Sequence, residues 1–232
     1  MNSPWPDAYQ ALVVGASGAI GGALVQALQH DPRCARVLGL DRQHAPVIEL
    51  RDEATLAQAA RELAPQGPWH LIIDATGALQ IDGHGPEKRL QDLQADRLMA
   101  QLHTNTIGPA LLIKHLAPLL PMGQPCAYAK LSARVGSIED NRKGGWWGYR
   151  SAKAALNMVL QCAAIELSRQ RPQLRVLALQ PGTVRSRLSQ PFVGDQADPP
   201  EQAAAGLLRA IAQAPADGRA HFLDAKGLPI PW

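Results

Sequence analysis

The sequence predicts an α/β fold: a doubly wound, mostly parallel central sheet with helices on both faces. Two observations carry the prediction. Short, β-rich apolar runs alternate with longer stretches of helical periodicity along the chain. Those short runs are mostly apolar without alternation, which is how strands covered on both faces read, and crossover helices follow them.

In chain order, strands are expected at ALVV (11–14), ARVLGLD (35–41), PVIEL (46–50), HLIIDA (70–75), AYAKLS (127–132), LRVLALQ (174–180) and a final AHFLD. Helices are expected over Ala19 to Gln29, Ala54 to Leu63, a long stretch from about Glu87 to Leu119, Tyr149 to Arg169, and near Glu201 to Ala212. The polar, proline-rich PFVGDQADPPEQ (191–202) is long enough to form a mobile lid. No solenoid period is visible and no linker composition divides the chain, so residues 1–232 are expected to form one domain.

Composition narrows the function. The formal charge of +3 is spread along the chain with no run of lysines or arginines, so neither nucleic acid nor a membrane surface is implied. The start, MNSPWPDAYQ, lacks a basic stretch and an apolar core, and no apolar run approaches membrane-spanning length; a cytoplasmic protein is expected. Cys34, Cys126 and Cys162 form an odd, widely spaced set, expected to be buried thiols rather than a disulfide framework or a zinc site. The histidines show no ligand spacing, so no metal is expected, and His103 and His115 read as surface or interface positions on a long helix. PEKRL reads as a solvated helix start.

ALVVGASGAIGG places Gly15, Gly18 and Gly21 between the first strand and the first helix. Missing side chains there let backbone amides and the helix N-terminus approach a pyrophosphate. Asp41 ends the second strand at the distance where a carboxylate accepts the adenine-ribose hydroxyls of a dinucleotide. That acid would repel a 2′-phosphate and points to NAD(H), while Arg42 directly after it leaves NADP(H) open.

GGWWGYRSAK (144–153) sets Tyr149 and Lys153 one turn apart on a helix, so both can point into one crevice. A free phenol titrates near ~10, so work near neutrality needs a shift of about three units, or ~4 kcal/mol. One cation about 5 Å away at an effective dielectric near ~20 supplies ~3 kcal/mol. A tyrosine so placed can exchange a proton with a carbonyl or alcohol oxygen while hydride passes to or from the cofactor. Trp146 and Trp147 just before it either line a pocket for an apolar carbonyl substrate, cover a hydrophobic seam, or meet another subunit.

At this point the chain resembles the short-chain dehydrogenase/reductases, a Rossmann-like family. The resemblance rests on GASGAIG, Asp41, DATG (74–77), HTNTIGPA, LSARVGSI, YRSAK and QPGTVRS, and it spans nearly the whole chain. Several stretches, among them GPEKRLQDL, SARVGSIEDNRKGGWWGYRSAKAALN and the terminal GLPIPW, look closer still to its C-factor-like branch. It implies Tyr149 as general acid/base and Lys153 as the group that binds ribose and lowers the tyrosine's pKa. It implies Asn105 as the residue that kinks the long helix and holds a relay water, and Ser132 or a neighbour as the hydrogen-bond donor to the substrate oxygen. Cofactor contacts are implied at Gly15, Ser17, Gly18, Ala19, Ile20 and Gly21, at Asp41 and Arg42, and at Glu49 and Leu50 beside adenine. Ala75, Thr76 and Gly77, then Pro181, Gly182, Val184 and Ser186 near the nicotinamide, complete the implied set.

The chain also departs from the family pattern. Where the family shows two serines at the end of the fifth strand, it reads Ser132-Ala133. Because alternate strand residues face opposite ways, Ser132 inherits the role only through a bulge or turn, and Ser137 is its rival. Asp74-Ala75-Thr76-Gly77 replaces the usual Asn-Asn-Ala-Gly. The expected activity is NAD(P)-dependent interconversion of a small-molecule carbonyl and alcohol by a homodimer or homotetramer. The alternative is a cofactor-binding signalling or sensor protein, since the C-factor name belongs to an intercellular signal.

Overall fold

The structure, a computed structural model, describes residues 4–185 and 197–232. Six strands form one sheet: β1 (Tyr9–Val14), β2 (Cys34–Leu40), β3 (Leu71–Asp74), β4 (Cys126–Leu131), β5 (Leu174–Gln180) and β6 (Ala220–Asp224). Their order is β2-β1-β3-β4-β5-β6 and every pairing is parallel. The helices are α1 (Ala19–Gln29), α2 (Glu53–Leu63), α3 (Ala95–Leu102), α4 (Gly108–Leu116), α5 (Trp147–Ser168) and α6 (Pro200–Gln213).

Alternate residues of β1 enter opposite cores, which is why the strand is apolar throughout. Leu12 and Val14 join Leu56 of α2, Leu112 of α4 and Leu156 of α5 on one face. Ala11 and Val13 join Leu24 of α1 and Leu207 of α6 on the other. From β1 the chain goes first to β2 on one side and then returns to β3 on the other. That reversal opens a crevice at the carboxyl ends of β1 and β3.

Three expectations change. PVIEL does not form a strand. Pro46 has no N–H to give a ladder, and the next donors go elsewhere: Ile48 N–H to the Asp41 carbonyl, and Glu49 N–H to Thr55 Oγ1 at the start of α2.

The long helix begins at Ala95 rather than Glu87, and a π turn, His103–Ile107, separates α3 from α4. Pro109 accounts for that turn. It lacks the N–H that would bond the Asn105 carbonyl four residues back, and its ring crowds the same carbonyl.

Of the cysteines only Cys126 is buried; Cys34 is half-buried and Cys162, on the outer face of α5, is exposed. The residues 191–196 of the expected lid lie outside the described residues. Ala197 and Asp198 just beyond are docked, with Asp198 bridged to Val184. No described helix is long and apolar enough to cross a membrane.

Candidate active site

The crevice is a cleft of about 470 Å³ lined by Gly15, Ser17 and Gly18, by Asp41 and Arg42, by residues 48–51, and by residues 75–78. Gly15 adopts φ +83°, and a β-carbon on it would stand 3.1 Å from the Ala75 carbonyl carbon. One on Gly21 would collide with the carbonyl oxygen of Gly15. Both glycines are therefore required for α1 to start tight against the ends of β1 and β3. Gly18 is the N-cap and offers no side-chain acceptor to the first-turn amides of α1. A cradle of this kind, ending in amides with no side-chain acceptor, fits the pyrophosphate of a dinucleotide. Ala19 and Ile20 begin α1 behind the lip of the cleft.

Asp41 lines the cleft, and its Oδ1 is engaged by its own turn. Oδ1 accepts from the amides of Gln43 (2.8 Å) and His44 (2.9 Å), and His44 Nδ1 lies 3.0 Å from both oxygens. The Gln43 amide is the main cause that holds this acid below its usual range, with His44 adding to it. Arg42 is exposed at the rim, and Arg51 nearby pairs with Asp82 at 3.3 Å. Glu49 and Leu50 line the same wall.

Tyr149 and Lys153 are both buried, one turn apart on the inner face of α5. Lys153 Nζ donates to the Leu131 carbonyl at 3.1 Å and lies 5.6 Å from the centroid of the Tyr149 ring. Burial pushes the Tyr149 phenol up to about 12. Burial, then Lys130, hold Lys153 well below the usual lysine range against the pull of Asp74. The protein's own groups thus do not produce the lowered phenol that the spacing predicts. Desolvation penalises the phenolate, and it also penalises the ammonium that was to stabilise it.

Asn105, buried in the π turn, donates to the carbonyl of Ala78 (2.9 Å) and to Gln101 Oε1 (2.8 Å), and accepts from the Ala78 amide (3.1 Å). It ties the helix to the 76–78 loop. At Gly77, φ +138°, a β-carbon would stand 3.2 Å from Asn105 Oδ1 and 3.4 Å from Lys153 Nζ. The end of the cleft therefore opens directly beside both groups.

The serines are elsewhere. Ser132 Oγ donates to Asn157 Oδ1 at 2.7 Å, two turns further along α5 than Tyr149, roughly 12 Å. Ser137 Oγ accepts from the Asp140 amide and donates to the Trp232 carbonyl. Ala133, extended at φ −154°, follows the strand end where the family places its second serine. Pro181 and Gly182 follow β5, and Val184 is buried beside Asp198; Ser186 lies outside the described residues.

Two groups escape the reading of the sequence. Glu87 is buried rather than solvated: its carboxylate accepts from the Gly148 amide at 3.0 Å, and its carbonyl accepts from the Trp146 amide. It thereby caps the helix that carries Tyr149. Trp146 takes the left-handed conformation and packs edge-on against Tyr149 with ring centroids 6.4 Å apart; Trp147 is partly exposed. Lys130 is the other, fully buried and paired with Asp74. A lysine inside the apolar run AYAKLS was the available signal.

The fold and the cleft define a doubly wound α/β protein with a dinucleotide-type crevice. The chain belongs to the short-chain dehydrogenase/reductase family, whose model, described as short chain dehydrogenase, matches residues 47–197. It is 31% identical over 189 residues to a 1-hydroxy-2-glutathionyl-2-methyl-3-butene dehydrogenase of Rhodococcus sp., covering 81% of this chain and 79% of that protein. It is 32% identical over 167 residues to the C-signal of Myxococcus xanthus, covering 72% of this chain and 94% of that protein. Among solved structures, the NADPH-bound carbonyl reductase from chicken fatty liver superimposes with a TM-score of 0.83 at 21% identity, over 98% of this chain and 100% of that one. A short-chain dehydrogenase/reductase of Burkholderia multivorans with bound NADP gives 0.82 at 22% identity, over 97% and 99%. The likeness to solved structures shows the fold. The two neighbours hold NADPH and NADP, so the preference for NAD drawn from Asp41 finds no support in them.

Proposed function

We propose that the protein is an oxidoreductase that interconverts a carbonyl and an alcohol with NADP(H). The observation that carries the reading is the meeting of Tyr149, Lys153 and Asn105 at the Gly77 end of the glycine cradle. Gly15, Gly18 and the α1 amides would hold the pyrophosphate, Glu49 and Leu50 the adenine side, and Arg42, exposed at the rim, the 2′-phosphate, its charge offsetting the repulsion from the ionised Asp41. A bound nicotinamide supplies or accepts the hydride. Tyr149 gives or takes the proton at the substrate oxygen, and Lys153 holds the ribose beside it. Asn105 keeps the 76–78 loop and the π turn in register. Ala133 leaves the substrate oxygen without a serine donor, so Tyr149 carries that contact alone.

The absent serine also favours a second reading, a cofactor-binding signalling protein with little turnover, in line with the name of the Myxococcus relative. Calorimetric titration with NADPH and NADH, followed by absorbance at the reduced-nicotinamide band with a panel of aldehydes and ketones, separates the two. An enzyme binds NADPH more tightly than NADH and oxidises it with some carbonyl. Tyr149→Phe then lowers turnover by about 10²–10⁴-fold with NADPH affinity within about threefold of wild type. Tight binding with no turnover, and no effect of Tyr149→Phe on a partner, supports the signalling reading.

A further inference from the structure

One buried charged pair beside the site has no part in the chemistry above. Lys130, one residue before the end of β4, and Asp74, at the end of β3, are direct neighbours in the strand register, and neither side chain reaches solvent. Lys130 Nζ donates to Asp74 Oδ1 at 3.1 Å, to the Thr76 carbonyl at 2.6 Å and to Thr76 Oγ1 at 3.1 Å. Those three acceptors use the whole ammonium. Thr76 closes the knot by donating its amide and its hydroxyl to Asp74 Oδ1. Two ions removed from water are a poor source of stability compared with apolar residues of the same volume, so the pair asks for another reason.

Its surroundings supply one. The residue after Thr76 is Gly77, which sits against Lys153 Nζ and Asn105 Oδ1. The charged and titratable groups that face Lys153 are Tyr149 from α5, Lys130 from β4 and Asp74 from β3. The π turn contributes the neutral Asn105, and the turn after β4 contributes the backbone of Gly136 against the Lys153 stem. Two lysines therefore share one carboxylate in a space closed to water.

We propose that Lys130 is a positioning residue for the Tyr149 and Lys153 chemistry, an inference that rests on the oxidoreductase reading. Paired with Asp74, it fixes the 74–77 turn against Lys153 and keeps a second buried cation beside it. Lys130 disfavours the proton on Lys153, where its repulsion outweighs the attraction of Asp74. Neutralising the pair should therefore let Lys153 hold its proton to higher pH.

The test is the pH profile of kcat/KM at saturating NADPH for wild type and for Asp74→Asn/Lys130→Gln. The double change keeps polar contacts to Thr76 and removes both charges. Lys130→Met alone would strand a buried carboxylate and risks not folding, which the paired change avoids. The limb that reports loss of the Lys153 proton is expected to move up by about half a pH unit or more. NADPH affinity, read by quenching of tryptophan fluorescence, should stay within about threefold. Superimposable profiles, with or without a lower melting temperature, overturn the proposal and leave the pair a structural element, while the oxidoreductase reading stands. A wild-type chain that neither binds NADPH nor reduces any carbonyl overturns the reading itself, and Lys130 loses its role with it.

Discussion

Ser132 and Lys130 stand two residues apart on one face of β4 and spend their polar atoms on Asn157 and Asp74. The strand's alternation explains the serine. Once Leu131 faces the α1 and α6 core, Ser132 must face α5, and Ala133 is left beside the strand end. Ser132→Ala should cost about 1–3 kcal/mol, because it leaves the buried Asn157 oxygen unpaired. It should leave kcat within about threefold, since the hydroxyl lies two turns from Tyr149. Chemical denaturation and steady-state kinetics on one preparation check both halves. A hundredfold fall in kcat at unchanged stability would return Ser132 to the reacting oxygen. That Tyr149 and Lys153 share one face was legible at this scale, because helical spacing alone puts them there, whereas Asn105 came only with the family resemblance. The pairing of Asp41 with His44 was not, because a carboxylate at a strand end can serve a ribose or its own turn, and sequence does not say which.

At the scale of elements, α5 is aimed by Glu87. Its carboxylate meets the Gly148 amide, in the first turn of the helix, where the macrodipole favours an anion. Glu87→Ala should lower stability by about 1–2 kcal/mol, as loss of a good cap does. It should also reduce turnover more than NADPH affinity, because Tyr149 is one residue from the capped amide while the glycine cradle is on another element. Glu87→Gln, which keeps an acceptor, should restore most of the stability; a melting series with kcat measured alongside decides it. The loop that holds Glu87 read as the start of a long amphipathic helix, and only its contact with α5 removes it from that helix. The π turn has a local cause, since Pro109 cannot bond the Asn105 carbonyl, but the helical periodicity on both sides of it read as one unbroken helix.

Across the whole molecule, burial sets the response to alkali. The chain has three tyrosines, and all of them are buried. Burial is the first cause pushing each phenol up, with Asp31 reinforcing it at Tyr9 and Asp74 at Tyr128; Tyr149 reaches about 12. A raised phenol favours the protonated, folded state. Its contribution is complete below the ordinary phenol value near ~10 and is lost as pH climbs toward the folded value. Three such groups predict that stability falls by up to about 4 kcal/mol per pH unit above about pH 10. Melting temperatures between pH 8 and pH 11.5 should therefore be level at first and then drop steeply, and Tyr9→Phe should make the drop shallower. A curve that stays level through pH 11.5 would show that the phenols reach water in the folded state.

The sequence by itself determined the layered architecture, four of the helices to within a few residues, the glycine cradle and the tyrosine–lysine face. All of these depend on periodicity or on residues close along the chain, where backbone geometry leaves few choices. Only the tertiary structure decided that PVIEL is not a strand, that Ser132 serves Asn157, that Glu87 caps α5 and that Lys130 is paired within the sheet. Each of those outcomes depends on which distant polar group a buried donor or acceptor meets. A buried polar atom must find a partner, and the identity of that partner is a property of the packed fold.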